Sequence, residues 1–364
     1  MLKLVCAAVV SLMLALEPSA ASARQAHSHA TQKAKAKAKS HKASAAKPGH
    51  GRLKRVAVVR GKRMVIHARH GAPAVMAMSA GDRAGLNQTR DPLALASSVA
   101  FVVDQSNSQV LFEKNAGVAL PIASITKMMT GLIVVQSGLD MHDMLTVTDA
   151  DVDRAKFSSS RLRVGARMTR GDLLHIALMS SENRAAAALG RNYPGGIGAF
   201  VAAMNAKAHE LGMVDTHYVD SSGLSSQNVA SARDLARLAT VAYGEPLLRQ
   251  YSTDPKYVVD DGQRAMHYAN TNYLVASPDW NIGLQKTGFI NEAGKCLLLQ
   301  AVIQGRNVIM VFLDSKGRQT RTADAGRVKK WLETQTSTAS PSATAPPPAM
   351  YRPASTPERV TQGG

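Results

Sequence analysis

Three short strings in the back two-thirds of this 364-residue chain carry side chains suited to acyl transfer: Ser124-Ile125-Thr126-Lys127, Ser181-Glu182-Asn183 and Lys286-Thr287-Gly288. They follow in that order, with roughly 55 and then roughly 105 residues between them. A serine hydroxyl is a poor nucleophile until something takes its proton. Ser124 and Lys127 stand three apart in a run whose apolar positions, Ile125, Met128, Met129, Leu132 and Ile133, have helical spacing after Pro121. The two polar groups therefore share a face, about one turn apart. A lysine takes a proton near neutral pH only when its pKa falls from about 10.4, which burial and a neighbouring cation both favour. Lys286 is the candidate cation. The helix N-terminus at Ser124 adds partial positive charge and free backbone N–H groups where an oxyanion would form.

The second and third strings complete the site. Ser181 is a candidate proton relay and Asn183 a candidate amide contact. Lys286 and Thr287 are placed to hold a terminal carboxylate, and Gly288 lets a peptide backbone approach an edge strand closely. The backbone N–H of Phe289 pairs with that of Ser124 as the expected oxyanion hole. Two routes for the first proton stand open, directly to Lys127 or by relay through Ser181. Decoys exist: Ser44-Ala45-Ala46-Lys47 repeats the first pattern in a basic, repetitive stretch, and Ser226-Gln227-Asn228 repeats the second in a loop. Ser181-Glu182-Asn183 is preferred because it directly follows a capped helix.

The elements that must position these groups can be read from the patterning. Val99 to Asp104 and Gln109 to Glu113 read as a hairpin, and Gly283 to Phe289, Lys295 to Gln304 and Asn307 to Leu313 as three more strands separated by turn residues. Between them the pattern is helical. Thr169 with Asp172, and Ser231 with Asp234, form capping boxes ahead of apolar stripes, and Gly244 can end the second helix. A helix near Phe200 to Leu211 ends at Gly212, and a closing helix spans about Thr322 to Trp331. Strands at both ends with helices inserted between them predict an α+β fold: a five-stranded antiparallel sheet with flanking helices and a helical lobe, the site lying where the two meet.

The flanks are different material. Lys3 precedes an apolar run from Leu4 to Leu16, and Ala21-Ser22-Ala23 fits a signal-peptidase site, so residues 1–23 read as a signal peptide and the expected location is the periplasm. Cys6 leaves with it, and Cys296, beside Leu297 to Leu299, reads as a buried strand residue. Between Arg24 and His70 there are fourteen Lys or Arg and no Asp or Glu, which accounts for most of the formal +18. Residues 24–92 are expected to be a disordered basic arm, with a marginal hairpin from Val56 to Ile66. Its histidines lack metal-ligand spacing. Residues 93–333 form the expected catalytic domain, and 334–364 a Pro/Ser/Thr-rich tail. Export argues against nucleic acid as the physiological partner; the arm is either a bare linker or an electrostatic contact for anionic envelope polymers. His175, His209 and His217 have no task in a Ser/Lys scheme. Trp280 reads as core packing, and Asp220 to Leu224 as a loop bordering the site.

In their contexts, Pro121 to Thr130, Met179 to Ala186 and Leu284 to Phe289 resemble the low-molecular-mass penicillin-binding proteins, most nearly the D-alanyl-D-alanine endopeptidase branch. The resemblance covers roughly residues 93–333. It implies the β-lactamase/transpeptidase-like fold, Ser124 as the acylated nucleophile, Lys127 as its base, peptidoglycan stem peptides as substrates and β-lactams as inhibitors. It implies neither metal nor organic cofactor. The chain lacks the β-rich C-terminal domain and amphipathic helix that carboxypeptidase relatives often carry, which favours the endopeptidase over the carboxypeptidase. A serine β-lactamase would need a water-positioning glutamate, and Glu182 sits inside a motif instead. A non-catalytic peptidoglycan binder would not need all the reactive residues present here.

Overall fold

Two hydrophobic runs from opposite ends of the chain lie side by side at the centre of one sheet. The computed structural model describes residues 55–59, 62–66, 78–317 and 319–338. Its main sheet contains β1 (Ser97–Asp104), β2 (Val110–Lys114), β3 (Asn281–Ile290), β4 (Gly294–Ile303) and β5 (Arg306–Ser315). The spatial order is β3-β4-β5-β1-β2, every pair antiparallel, with Val308 opposite Asp104 and Phe312 opposite Ala100 where the two ends of the chain meet. The mixed α+β fold and the five strands are those the sequence predicts.

β1 is buried along its whole length because both faces of the sheet are covered. Val99, Phe101, Val103, Leu298 and Val311 enter the core shared with the helical lobe. Ala100, Val102, Leu299, Met310 and Phe312 alternate to the other face, where Ala325, Val328 and Leu332 of the C-terminal helix meet them. Trp280 packs in this second cluster, as core.

The lobe consists of α1 (Thr126–Gln136), α2 (Arg170–Met179), α3 (Asn183–Arg191), α4 (Gly196–Glu210), α5 (Ala232–Gly244) and α6 (Pro246–Thr253), and α7 (Thr320–Thr338) closes the chain. Thr169 and Ser231 cap α2 and α5 by accepting the N–H of Asp172 and Asp234. The Asp234 carboxylate does not close a box, however; it accepts from Asp215 N at 2.8 Å and Thr216 Oγ1 at 2.9 Å, tying α5 to the loop before it. A hairpin of Lys256–Asp260 with Ala265–Ala269 lies in a region the sequence reading left as helical. Its Asp261-Gly262 turn is the signal that would have marked it.

The expected start of the domain at residue 93 needs correction. A helical turn, Ala80–Arg83, is capped by Ser79, and Ala80 N donates to Glu292 O at 2.8 Å. Asp91 forms a buried ion pair with Lys114 at 2.9 Å and accepts the N–H groups of Leu93 and Leu95. Asp82 pairs with Lys316. The two acidic residues of this stretch thus each find a cation of the domain, so the arm expected over 24–92 ends before residue 79. At the other end α7 runs to Thr338, past the expected tail boundary at 334. By itself, segment 55–66 forms an antiparallel ribbon with Arg55 opposite Ile66 and Val59 opposite Lys62. The signal peptide, residues 24–54 of the arm and the tail from 339 lie outside the described residues.

One buried carboxylate joins α7 to the start of the sheet. Asp324 accepts from Ala96 N at 3.0 Å, Ser97 N at 2.8 Å and Ser97 Oγ at 2.6 Å, and is fully buried. Replacing it with alanine strands these donors, and the expected cost is about 2–4 kcal/mol of unfolding free energy. Urea denaturation followed by circular dichroism checks this, and a midpoint unchanged from wild type would contradict it.

Candidate active site

The turn that presents Ser124 is held by backbone on two sides. Ala123 takes a left-handed φ of 48°, and a 3₁₀ turn, Ala123–Ile125, leads into α1. A side chain at Gly288 would put a Cβ 2.9 Å from Ile122 O and 3.1 Å from Ser124 N. At Gly223, where φ is 83°, the Cβ would lie 2.0 Å from Ala123 O. Glycine at both positions lets the β3 edge and the 219–228 loop close on the same three residues. The close approach of Gly288 places β3 beside the Ser124 N–H, where the sequence reading puts the oxyanion hole with Phe289.

Lys127 lies one turn along α1, fully buried, and reaches three oxygens: Ser124 Oγ at 2.8 Å, Asn183 Oδ1 at 2.7 Å and Ser222 O at 2.6 Å. Two of these are carbonyls, which can only accept. A neutral amine has two N–H donors and one lone pair, so the donors fill the carbonyls and the lone pair meets the Ser124 O–H. After proton transfer, three N–H groups meet the same three oxygens, so the charge moves without rearrangement. Burial holds the amine down at about 7, against the pull of Asp220 and Glu182, which favour its charged form.

Ser181 ends the turn between α2 and α3 with a left-handed φ of 61°. Its hydroxyl accepts from Lys286 Nζ at 2.9 Å, so each of the two buried amines holds one serine. Lys286 also donates to Thr287 O at 2.8 Å. Burial, then the nearby Lys127 and Arg321, push its pKa well below the ordinary lysine value. Asn183 Nδ2 donates to Ser158 Oγ at 3.0 Å, which fixes the amide with its oxygen on Lys127. Thr287 Oγ1 lies 2.6 Å from Thr271 Oγ1. A groove of about 230 Å³ lined by Ser124, Lys156, Ser158, Asn183, Leu224 and Phe289 opens above Ser124. Of the motif positions, Ser124, Asn183 and Phe289 line this groove, with Phe289 exposed; Lys127 bonds to the first two, and Lys286 bonds to Ser181.

Sequence reasoning missed three contributors. Arg321 of α7 donates to Gly288 O at 2.8 Å and brings a second cation to the β3 strand; nothing in its helical context marks it. The second is the Ser222 carbonyl, since the loop Asp220 to Leu224 was read as bordering the site but not as holding Lys127. The Asp220 carboxylate accepts the N–H groups of Ser222 and Gly223 at 2.6 Å each and of Ser225 at 2.9 Å, and so aims the Ser222 carbonyl at Lys127. The Asp220-Ser221-Ser222-Gly223 run is a readable Asx-turn signal. The third is Ser158. The decoy Asn228 is structural: it is buried, accepts from Val219 N at 2.7 Å and donates to Thr126 Oγ1 at 3.2 Å.

Other groups stay out of the site. Cys296 is buried and burial raises its thiol to about 12, so it is inert. His175 stacks on Tyr251 at 4.3 Å and lies 3.0 Å from Asp254 within the lobe. Among the described residues no cluster of His, Cys, Asp or Glu has the makings of a metal site, and no helix is long and apolar enough to cross a membrane.

Comparison with known proteins places this geometry. Over 251 residues, 68% of the chain, the sequence is 48% identical to a protein of Pseudomonas aeruginosa named D-alanyl-D-alanine endopeptidase, covering 81% of it. A protein of the same name from Escherichia coli is 42% identical over 242 residues, 66% of this chain and 78% of that one. Among solved structures, the Streptomyces K15 DD-transpeptidase aligns with a TM-score of 0.62 at 27% identity, over 68% of this chain and 100% of that one. The model of a peptidase family described as D-alanyl-D-alanine carboxypeptidase matches residues 86–317, and the chain belongs to that family of serine D-Ala-D-Ala peptidases.

Proposed function

We propose that this chain is a D-alanyl-D-alanine endopeptidase that cleaves peptidoglycan cross-links through an acyl-enzyme on Ser124. The observation that carries the reading is the contact of a buried amine, Lys127, with Ser124 Oγ at 2.8 Å while two carbonyls occupy its donors. Ser124 Oγ attacks the D-alanine carbonyl carbon, and its proton passes to Lys127. The N–H groups of Ser124 and Phe289 hold the oxyanion. As the C–N bond breaks, the leaving amine takes a proton from the Lys127 side or from Ser181, which Lys286 orients. Water then attacks the acyl-enzyme, with the same base taking its proton. Arg321 supplies positive charge and Lys286 and Thr287 supply hydrogen-bond donors for the carboxylate beside the scissile bond, and Asn183 contacts the peptide amide. A β-lactam presents a reactive amide and a carboxylate in the same relation, so it acylates Ser124.

The names of the relatives at 48% and 42% identity support endopeptidase action, and the leader sequence supports export to the periplasm with cleavage near Ala23. Carboxypeptidase action is the second reading, favoured by the family description and by relatives of that name at 29% and 32% identity. The two share one acyl-enzyme and differ in the amine released. Purified cross-linked muropeptides digested by the wild type and read by mass spectrometry separate them. Loss of dimers with terminal D-alanine kept on monomers is expected. Trimmed monomers with intact dimers would replace the endopeptidase by the carboxypeptidase. Electrostatic contact of the basic arm, the stretch from residue 24 that ends before residue 79, with anionic envelope polymers is part of the proposal, read from its charge alone.

A further inference from the structure

The loop that carries Ser158 is bent around a single carboxylate. Asp153 Oδ1 accepts the N–H groups of Ala155 and Lys156, each at 2.9 Å, and Asp153 Oδ2 accepts that of Ser158 at 2.8 Å. Inside this turn Phe157 takes a left-handed φ of 53° while its side chain stays 83% exposed, so packing of that ring does not enforce the bend. The Ser158 hydroxyl also hydrogen-bonds the Asp153 carboxylate. Burial works against the charge there, but the donors of Lys156, Ser158 and Ala155 outweigh it and hold the carboxyl below its ordinary value. Lys156 pairs with Glu292 on the β3–β4 turn, which holds the loop on the groove from its other side.

An ionised carboxylate can only accept, and this fixes the sense of each hydrogen bond that follows. The Ser158 O–H points at Asp153, so its oxygen is left to accept from Asn183 Nδ2 at 3.0 Å. The amide then turns its oxygen to Lys127 Nζ at 2.7 Å, where it occupies one of the two donors of the neutral amine. Turned over, the amide would aim an N–H at the same amine and compete with the Ser124 O–H for its lone pair. We propose that Asp153 is a positioning residue for the base: acting through Ser158, it holds the Asn183 amide in the orientation that reserves the Lys127 lone pair for Ser124. Asp153, Ser158, Asn183, Lys127 and Ser124 form one directed chain, from a carboxylate behind the groove wall to the nucleophile. This role rests on Lys127 being the base of the mechanism proposed above.

Second-order rates of acylation by benzylpenicillin, followed across the pH range in which Lys127 titrates, test the chain. Ser158→Ala leaves the three backbone donors to Asp153, and hence the turn, in place but cuts the link to Asn183. Its rate on the alkaline plateau is expected to fall about tenfold. The midpoint of its rise with pH should also move below that of the wild type, because a donor facing Lys127 disfavours the charged amine. A loss of groove shape alone would lower the rate without moving the midpoint. The charged groups that bear on Lys127 are Asp220, Glu182 and Lys286, and none of them is altered in these variants. Ser158→Thr restores the hydroxyl and should recover most of the loss. Asp153→Ala should cost about as much as Ser158→Ala, and the double variant little more than either, since both cut the same chain. A Ser158→Ala rate within about twofold of the wild type, or losses that multiply in the double variant, overturns the role of Asp153. Lys127→Met acylated as fast as the wild type would instead remove the base itself.

Discussion

Ser124→Ala will fold as the wild type does, will bind no labelled penicillin covalently, and will lose on the order of 10⁴-fold or more in kcat/KM on stem peptides. The loss is large because Ser124 Oγ is the nucleophile and no other group in the groove can form an acyl-enzyme at that point. Ser181 is the other serine hydroxyl held by a buried amine, yet that amine is Lys286 rather than Lys127 of α1. Folding is spared because Ser124 Oγ makes just two contacts, the 2.8 Å bond with Lys127 and a 3.5 Å bond to Ser222 O. Gel fluorography with a labelled penicillin checks the first part and peptide hydrolysis the second. A stable penicillin adduct on Ser124→Ala would move the nucleophile elsewhere and end the proposed mechanism.

Lys127→Met should cost about 10³-fold or more in acylation and also change how stability depends on pH. Burial brings the folded amine down to about 7 from an ordinary 10.5. Above 10.5 both folded and unfolded forms are neutral and the burial of Lys127 carries no protonation penalty. As pH falls from there to about 7 the unfolded chain binds the proton and the folded one does not, so stability drops, by at most about 1.4 kcal/mol per pH unit. Below about 7 the penalty is complete and constant. The wild type should therefore gain on Lys127→Met as pH rises from 7 to 9 in urea titrations. Removing this charge also lets the Lys286 pKa rise, which flattens the variant's own profile further in the same direction. The acylation rate of the wild type should climb through pH 7 for the same reason, since only the neutral amine accepts the Ser124 proton. Parallel stability profiles for the two proteins would mean that Lys127 is charged in the folded state throughout, and would remove it as the base.

How much of this was legible beforehand depends on the range of the interaction. The three motifs could be picked out because each is local: a one-turn spacing, a helix-end turn and an edge-strand triplet declare themselves within four residues. The strands and most helices were legible for the same reason, through period and punctuation. What was not legible is contact between distant segments. Arg321 lies 35 residues after Lys286 in chain order and is brought to Gly288 only by the packing of α7 on the sheet. The Ser222 carbonyl matters only because Asp220 folds its loop back onto α1, an arrangement in which the backbone atom and not the side chain is the functional group. The start of the domain was misplaced because charge was judged by composition. Asp82 and Asp91 are two acids in a basic stretch, and each has a cation waiting on the folded body, one of them more than two hundred residues away. The preference for Ser181-Glu182-Asn183 over Ser226-Gln227-Asn228 stands on the geometry, since the second triplet spends its amide on the loop's own backbone and on Thr126.

The neighbouring positions of β1 and β5 carry a consequence for biogenesis. Val308 faces Asp104 and Leu313 faces Val99, so the sheet has no middle until the last strand arrives. During synthesis the N-terminal hairpin therefore waits, unpaired along one edge, while nearly the whole domain is made. The export proposed above requires a chain that stays threadable over that interval, and this strand order delays closure of the sheet until its last strand has been made.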